Sequence, residues 1–463
     1  LMSQIQYAGE FRLEELKIIS SSGNVVDLSK SVMQIDLYES IFKNSISGSI
    51  LIADTNNMVN NLPIIGQEYI TLKVSTPSIE DEAIDFTKHV FQVFQIHARS
   101  DLTKGTEIYE LHLTTSEFLR GERTKVSKSF TNTPHAIVES VLRDPLYLNS
   151  KKSLFVEESD QIKRLISPLM SPFRFISRIC KDSFSANGSP HYLFYETTKG
   201  FNFRTIENLY QQPTIGTYDT GDIGTLESKT QNVEVEMKRI IEFGRSSNSD
   251  MAMSIMTGML ASKIVTHDIY NKTFGVKNYG YFNDFTKYSR LNYNDSSKDN
   301  PVYNEIPLDE FGNTLESFDD AVVYVHPTSI TPTGADAQHM NSDNTQNYSA
   351  NRVADSLLTR RAKLAELSHA ETLNLLLQGN TTLFAGRMID VNLTVTGIQH
   401  DTNSFDKFYS GKYLITDLRH TFNFVADRHE IAVSCAKETL NEKLPLNRVV
   451  SEPKPKSGKT IIL

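Results

Sequence analysis

The chain has no tryptophan and only two cysteines, Cys180 and Cys435, in 463 residues. Two thiols cannot build a disulfide scaffold or a four-thiolate zinc site. No run of about 18 apolar residues occurs, so no membrane span is expected. Glu10, Glu14 and Glu15 stand where a secretory signal needs a basic and then an apolar stretch, so cytoplasmic synthesis is expected. Leu1 precedes Met2, where translation is expected to begin. Lys and Arg number 47 against 56 Asp and Glu, a net charge of −9, with no dense basic block. That balance argues against a sequence-reading nucleic-acid binder, whose affinity comes mainly from cations on phosphates.

Catalytic motifs are missing too. Ser457-Gly458-Lys459-Thr460 ends like a phosphate-binding loop, but Pro453 occupies the position of the first glycine. Ser410-Gly411-Lys412 fails in the same way at Asp406. No Gly-x-Ser-x-Gly elbow, His-Glu-x-x-His helix or Gly-x-Gly-x-x-Gly turn after a strand is present. His420 and His429 are placed to face each other across a hairpin, yet two imidazoles without a third ligand rarely hold zinc, and they read as polar-face residues on strands. His89, His97 and His112 read the same way. Cys180 and Cys435 sit on apolar stripes of different segments and read as buried, unpaired thiols. Carboxylates are plentiful, but nothing marks a catalytic pair, and Glu157-Glu158-Asp160 reads as a solvated charge run. No catalytic, cofactor-binding or metal-binding residue is assigned.

What is present is a β pattern. Ile35 and Leu37 alternate with polar neighbours, as do Ile46, Gly48, Ile50 and Ile52, then Ile70-Leu72-Val74, Phe91-Val93 and Tyr109-Leu111-Leu113. Turn residues punctuate these runs, which predicts an antiparallel sandwich or barrel, with a single open sheet as the alternative. Further on, Thr133-Pro134 and Ser171-Pro172 each place a capping residue and a proline at a helix start, and 192–203 reads as a hairpin. This is a small α+β insert. Strand-like alternation returns at Val233-Val235-Met237 and Ile264-Thr266-Asp268, with a helix over 251–260 between them. Residues 276–350 are polar and read as a loop-rich excursion without a core of its own. Residues 355–378 read as the longest helix, stopped by Gly379-Asn380. Residues 441–463 read as a flexible polar tail.

One echo stands out. Phe91-x-Val93-x-x-Ile96 precedes Tyr109-Glu110-Leu111-His112-Leu113, and Tyr413-x-Ile415-x-x-Leu418 precedes His429-Glu430-Ile431-Ala432-Val433. Each copy ends in a helix-like segment, at Ser116-Glu117-Phe118-Leu119 and Lys437-Glu438-Thr439-Leu440. A duplicated β-domain would give such an echo.

Two segments then carry a family likeness. One is Ala385-Gly386-Arg387-Met388-Ile389-Asp390-Val391 together with Ser410-Gly411-Lys412-Tyr413-Leu414-Ile415 leading to His420-Thr421-Phe422; the other is Ser47-Gly48-Ser49-Ile50-Leu51-Ile52-Ala53-Asp54. They resemble the baseplate hub proteins of contractile-tailed phages, among them the T-even-type hub subunit. They are also similar to the hub part of type VI secretion valine-glycine-repeat spikes and to phage late-control tail proteins. The positions matching the motif are Gly48, Ile50, Ile52, Gly386, Ile389, Gly411, Tyr413, Ile415, His420 and Phe422. The resemblance implies a mainly β fold with an α+β insert: two similar antiparallel β-barrels over 2–118 and 225–440, and an α+β domain over 119–224. The second barrel would be interrupted by the 276–350 excursion and the 355–378 helix, and a tail would follow from 441.

The resemblance further implies a non-enzymatic homotrimer in the virion tail baseplate, assembled in the host cytoplasm. Its partners would be a tail tube protein, a separate central spike protein and possible baseplate wedge proteins, with DNA only passing through the lumen. An acidic lumen would keep DNA from adhering, and charge-reversing lumen substitutions would then slow ejection. The alternatives are a tail-associated cell-wall hydrolase, which a muralytic assay tests, and a receptor- or carbohydrate-binding β-protein. The Tyr and Asn of 270–350 favour the latter, and the missing tryptophan counts against it.

Overall fold

The computed structural model describes residues 5–445, apart from residues 63, 80–81, 104, 161, 221–232, 269–271, 308–309, 329–352 and 396–404. The chain is mainly β. Its first part supplies strands β1 (Arg12–Ile19), β2 (Val32–Ser40), β3 (Ser47–Asp54), β4 (Tyr69–Ser75), β5 (Phe91–Thr103) and β6 (Thr106–Thr115). Alternation does the folding here. Leu16 and Ile18, Ile35 and Leu37, Ile50 and Ile52, Ile70 and Leu72, and Leu111 and Leu113 all turn to one side and form a single buried core. The strands lie side by side in the order β2-β3-β6-β5-β4-β1, every neighbour antiparallel.

Helix α1 (Ser116–Arg123) leads into the α+β insert, where α2 (Pro134–Arg143) and α3 (Pro172–Asp182) pack on the hairpin of β7 (Tyr192–Thr197) and β8 (Gly200–Thr205). Both longer helices begin with proline in the first turn, as their sequences predict. Their apolar faces, Ile137, Val138, Val141 and Leu142 against Phe173, Ile176 and Ile179, close on Phe194, Phe201 and Phe203.

The chain then builds the first arrangement again. Strands β9 (Thr214–Asp219), β10 (Ile240–Asn248), β14 (Glu371–Gln378), β15 (Met388–Asn392), β16 (Gly411–Asn423) and β17 (Arg428–Lys437) lie in the order β10-β14-β17-β16-β15-β9. Taken in chain order, the six strands occupy the same six places as β1 to β6. The difference is at the end, where β9 runs parallel to β15 while β1 runs antiparallel to β4. Between β10 and β14 come α4 (Met251–Met256), β11 (Ala261–Asp268), β12 (Thr273–Gly280), β13 (Val323–Thr328) and α5 (Val353–His369).

Several expectations need correction. No pairing among the described residues closes either set of strands into a barrel; β2 pairs with β16, and the two sets form one continuous sheet. The helix expected over 355–378 ends at His369, because Leu373, Leu375 and Leu377 alternate and are buried between β10 and β17. The excursion does bury a core, with its Tyr281, Phe285, Val302 and Tyr303 packed against Met259 and Leu260 before it and Ala365 of α5 after it, since aromatics replace the missing aliphatics. Val233–Met237 is a helical turn rather than a strand; three alternating residues do not separate period two from an i,i+4 pair. Thr439–Leu440 is a strand, not the second of two matching helices. The tail from residue 446 lies outside the described residues.

Candidate functional site: the joint between the repeated units

The motif residues are spread over both sets of strands, and His420 and Phe422 lie where the sets meet. Ile50 and Ile52 are buried in the first core, and Ile389, Tyr413 and Ile415 in the second. Phe422 belongs to β16 yet packs into the first core, so it pins one unit to the other. Gly48 lets β2 and β3 approach: a Cβ there would lie 2.7 Å from the Asp36 carbonyl. Gly386 and Gly411 both have positive φ and leave no room for a side chain, the first beneath the Tyr195 hydroxyl and the second beside Asn441.

The joint is an antiparallel pairing of β2 with β16, running from Asp417–Ser40 to Asn423–Gln34. On its outer face, Arg419 donates to both Asp36 carboxylate oxygens at 3.1 and 3.0 Å, and the Thr421 hydroxyl donates to the same carboxylate at 2.8 Å. A bidentate pair of this kind fixes register. On the inner face, His420 and His429 meet nitrogen to nitrogen at 3.1 Å, and the ring of Phe422 stacks 4.1 Å from that of His429. Both histidines are fully buried, not polar-face residues as expected. Burial pushes His420 down to about 3 and His429 well below its ordinary value, so both are neutral. They pack as flat apolar rings with one shared hydrogen bond.

Buried charges hold the other modules to this frame. Glu39 of β2 accepts from the backbone N–H of Ala385 at 2.8 Å and of Thr198 at 2.7 Å, which ties together both units and the insert. Burial raises its carboxyl to about 7. Glu196 accepts from Lys152, from the Ile46 N–H and from the Thr115 hydroxyl, and Lys152 also reaches Glu117 at 2.9 Å. Glu438 at the end of β17 takes Lys363 of α5 and Arg290, and Arg290 also donates to Glu366 at 2.8 Å. Motif reading missed these residues. A signal existed for one pair: Lys363 and Glu366 interrupt the apolar stripe of α5 three residues apart.

The arrangement nearest to catalytic chemistry is Ser189, His191 and Glu207 in the insert. The Ser189 hydroxyl donates to Glu207 at 2.6 Å, and Glu207 and Ser189 both face the same nitrogen, His191 Nδ1. A nucleophile and an orienting acid must sit on opposite ring nitrogens for the imidazole to relay a proton, so this is a structural cluster. Burial would raise Glu207, but His191 and Lys363 overcome it and hold the carboxyl down at about 2. Among the described residues, no three of His, Cys, Asp and Glu are grouped to hold a metal ion, and no helix is long and apolar enough to cross a membrane. Cys180 and Cys435 are buried and unpaired, and burial pushes the Cys180 thiol up to about 12.

The fold is one that phage tail proteins carry. The tail protein from Neisseria meningitidis MC58 superposes with a TM-score of 0.51 over 93% of this chain and 97% of its own, at 9% identity. The 43 kDa tail protein of prophage MuSo2 from Shewanella oneidensis superposes with a TM-score of 0.51, over 92% of this chain and 98% of its own, also at 9% identity. No protein-family model matches the sequence, and no curated protein matches it.

Proposed function

We propose that the chain is the structural hub of a phage tail baseplate. Three copies form a ring that adapts a six-fold tail tube to a three-fold central spike, with DNA passing through the lumen. The observation that carries this is the repeated six-strand arrangement within one chain. A trimer of a doubled unit presents six similar faces to the tube and keeps three-fold symmetry for the spike. The fold shared with two phage tail proteins supports a place in the tail. The tube, the spike and wedge proteins are the partners this reading implies, and its role is shape rather than chemistry. The test is the solution mass and the particle image of the purified chain. Three chains of 52.3 kDa give about 157 kDa and a ring.

A further inference from the structure

The joint inside the chain is built from two strand edges. Its two edges, on β2 and β16, have counterparts in the other unit, on β10 and β5. The counterparts match at one bulge on each edge, and the open edges carry further bulges that the joint lacks, between Arg245 and Ser247 on β10 and between His97 and Ser100 on β5. Val32 pairs with Ile52 and Gln34 with Leu51 across a bulge; Ile240 pairs with Leu377 and Glu242 with Leu376 across another. On the other edge, the bulge between Ile415 and Asp417 matches the bulge between Val93 and Gln95. So Ile35 corresponds to Phe243, Asp36 to Gly244, and Thr416 to Phe94. Ser100 faces Ile108 as Thr421 faces Glu430.

Two matched pairs differ sharply in cover. Ile35 is 0% exposed and Phe243 is 41% exposed. Thr416 is 6% exposed and Phe94 is 46%. In each pair the buried member lies in the β2–β16 joint and the exposed member on an edge that has no strand partner among the described residues. These are the edge of β10 away from β14 and the edge of β5 beyond Val93. Open edges carrying apolar side chains invite another strand.

We propose that β10 of one copy pairs antiparallel with β5 of a second copy, repeating between chains the β2–β16 pairing within each chain. The contact is heterologous, so copies join head to tail and close into a ring. Helix α4 follows β10 directly and lands in the neighbouring groove, an open space of about 720 Å³ whose lining includes Phe42, Phe94, Thr114 and Phe118 with Lys43 and Arg174 among its charged residues. The pairing inside the chain shows why. In the joint, Ile41 follows β2 and buries against Leu414 and Ala436, and Thr114 is the counterpart of Ala436. The side chains offered are Met251, Met253 and Met256, all exposed in the single chain. Flexible thioethers adapt well to an aromatic-lined groove.

This proposal rests on the ring reading, and its test separates the two. Two backbone bonds of the joint, Phe424 N–H to the Met33 carbonyl and Ile41 N–H to the Thr416 carbonyl, place Thr421 and Asp36 at a non-hydrogen-bonded pair. Their counterparts are Ser100 and Gly244. Such pairs have the spacing a disulfide needs, and a Cβ at Gly244 meets nothing within 4 Å. A Ser100→Cys, Gly244→Cys double variant under mild air oxidation, run on denaturing gels without reductant, is expected to give a closed three-chain product. Each single variant is expected to give none, because Cys180 and Cys435 are buried. Phe243→Asp is expected to lower the assembly to single chains with an unchanged circular-dichroism spectrum. A wild-type trimer that neither cross-links through these cysteines nor responds to Phe243→Asp overturns the edge pairing and leaves the hub reading standing. Cross-linked rings of another number support the edge pairing and overturn the trimer. Wild-type protein that stays single-chain overturns both.

Discussion

Gly379 has no room for even a methyl group, because a Cβ there would run into the His429 ring. That ring cannot retreat, since Phe422 stacks on it and His420 is bonded to it. Gly379→Ala is therefore expected to destabilise the protein by about 1–3 kcal/mol, the usual cost of overpacking, read as a lower midpoint in urea. An unchanged midpoint would show that the histidine pair is loosely held. The glycine looks like a helix stop in the sequence; in the structure it makes space for a buried imidazole. The pair also makes the joint sensitive to acid. Both histidines are neutral when folded and have their ordinary value of 6.5 when free. Below pH 6.5 the unfolded chain binds more protons than the folded one, so these two groups make stability fall as pH drops from 6.5 towards about 3. Replacing them with amides at the bonded positions, His420→Asn with His429→Gln, removes that response. The slope of unfolding free energy between pH 5 and 6.5 is expected to fall by up to about 2–3 kcal/mol per pH unit. An unchanged slope would mean the histidines do not titrate in that window.

Among elements, the two long hairpins show how much of the fold the sequence holds. The spacing Phe91-x-Val93-x-x-Ile96 and its echo at 413–418 look like imperfect alternation. The doubled gap is a bulge in each copy, at Phe94 and at Thr416, which returns Ile96 and Leu418 to the inner face. Strand periodicity and the proline-started helices were readable for the same reason: each is set by local sterics. The joining of both sets of strands in one sheet was not, because strand order depends on pairings between residues hundreds of positions apart, such as Phe422 with Ile35. The strand over 371–378 was hidden because it follows α5 after one residue and is itself rich in leucine, which suits either structure. Helix α5 is held by charge as well as by apolar contacts. Lys363→Met leaves Glu438 buried with one cationic partner fewer and is expected to cost about 3–5 kcal/mol. Adding Glu438→Gln should recover much of that loss in the same urea titration. If the double variant is no better than the single, the pair is not what holds the helix.

For the whole molecule, four modules are fixed to one another by buried groups at three meeting points: Glu39 and Phe422 at the joint, Glu196 with Lys152 at the insert, and Glu438 with Lys363 at the excursion. The candidate site is spread over the whole frame, which is why only its glycines and alternating apolars were visible in the sequence while the open edges were not. The measurement that bears most directly on the account is the mass of the full-length chain in solution by light scattering, across a concentration series and with images of the same sample. The account predicts a species of about 157 kDa that images as a ring with a central opening. A single chain of 52.3 kDa that persists at high concentration would contradict it.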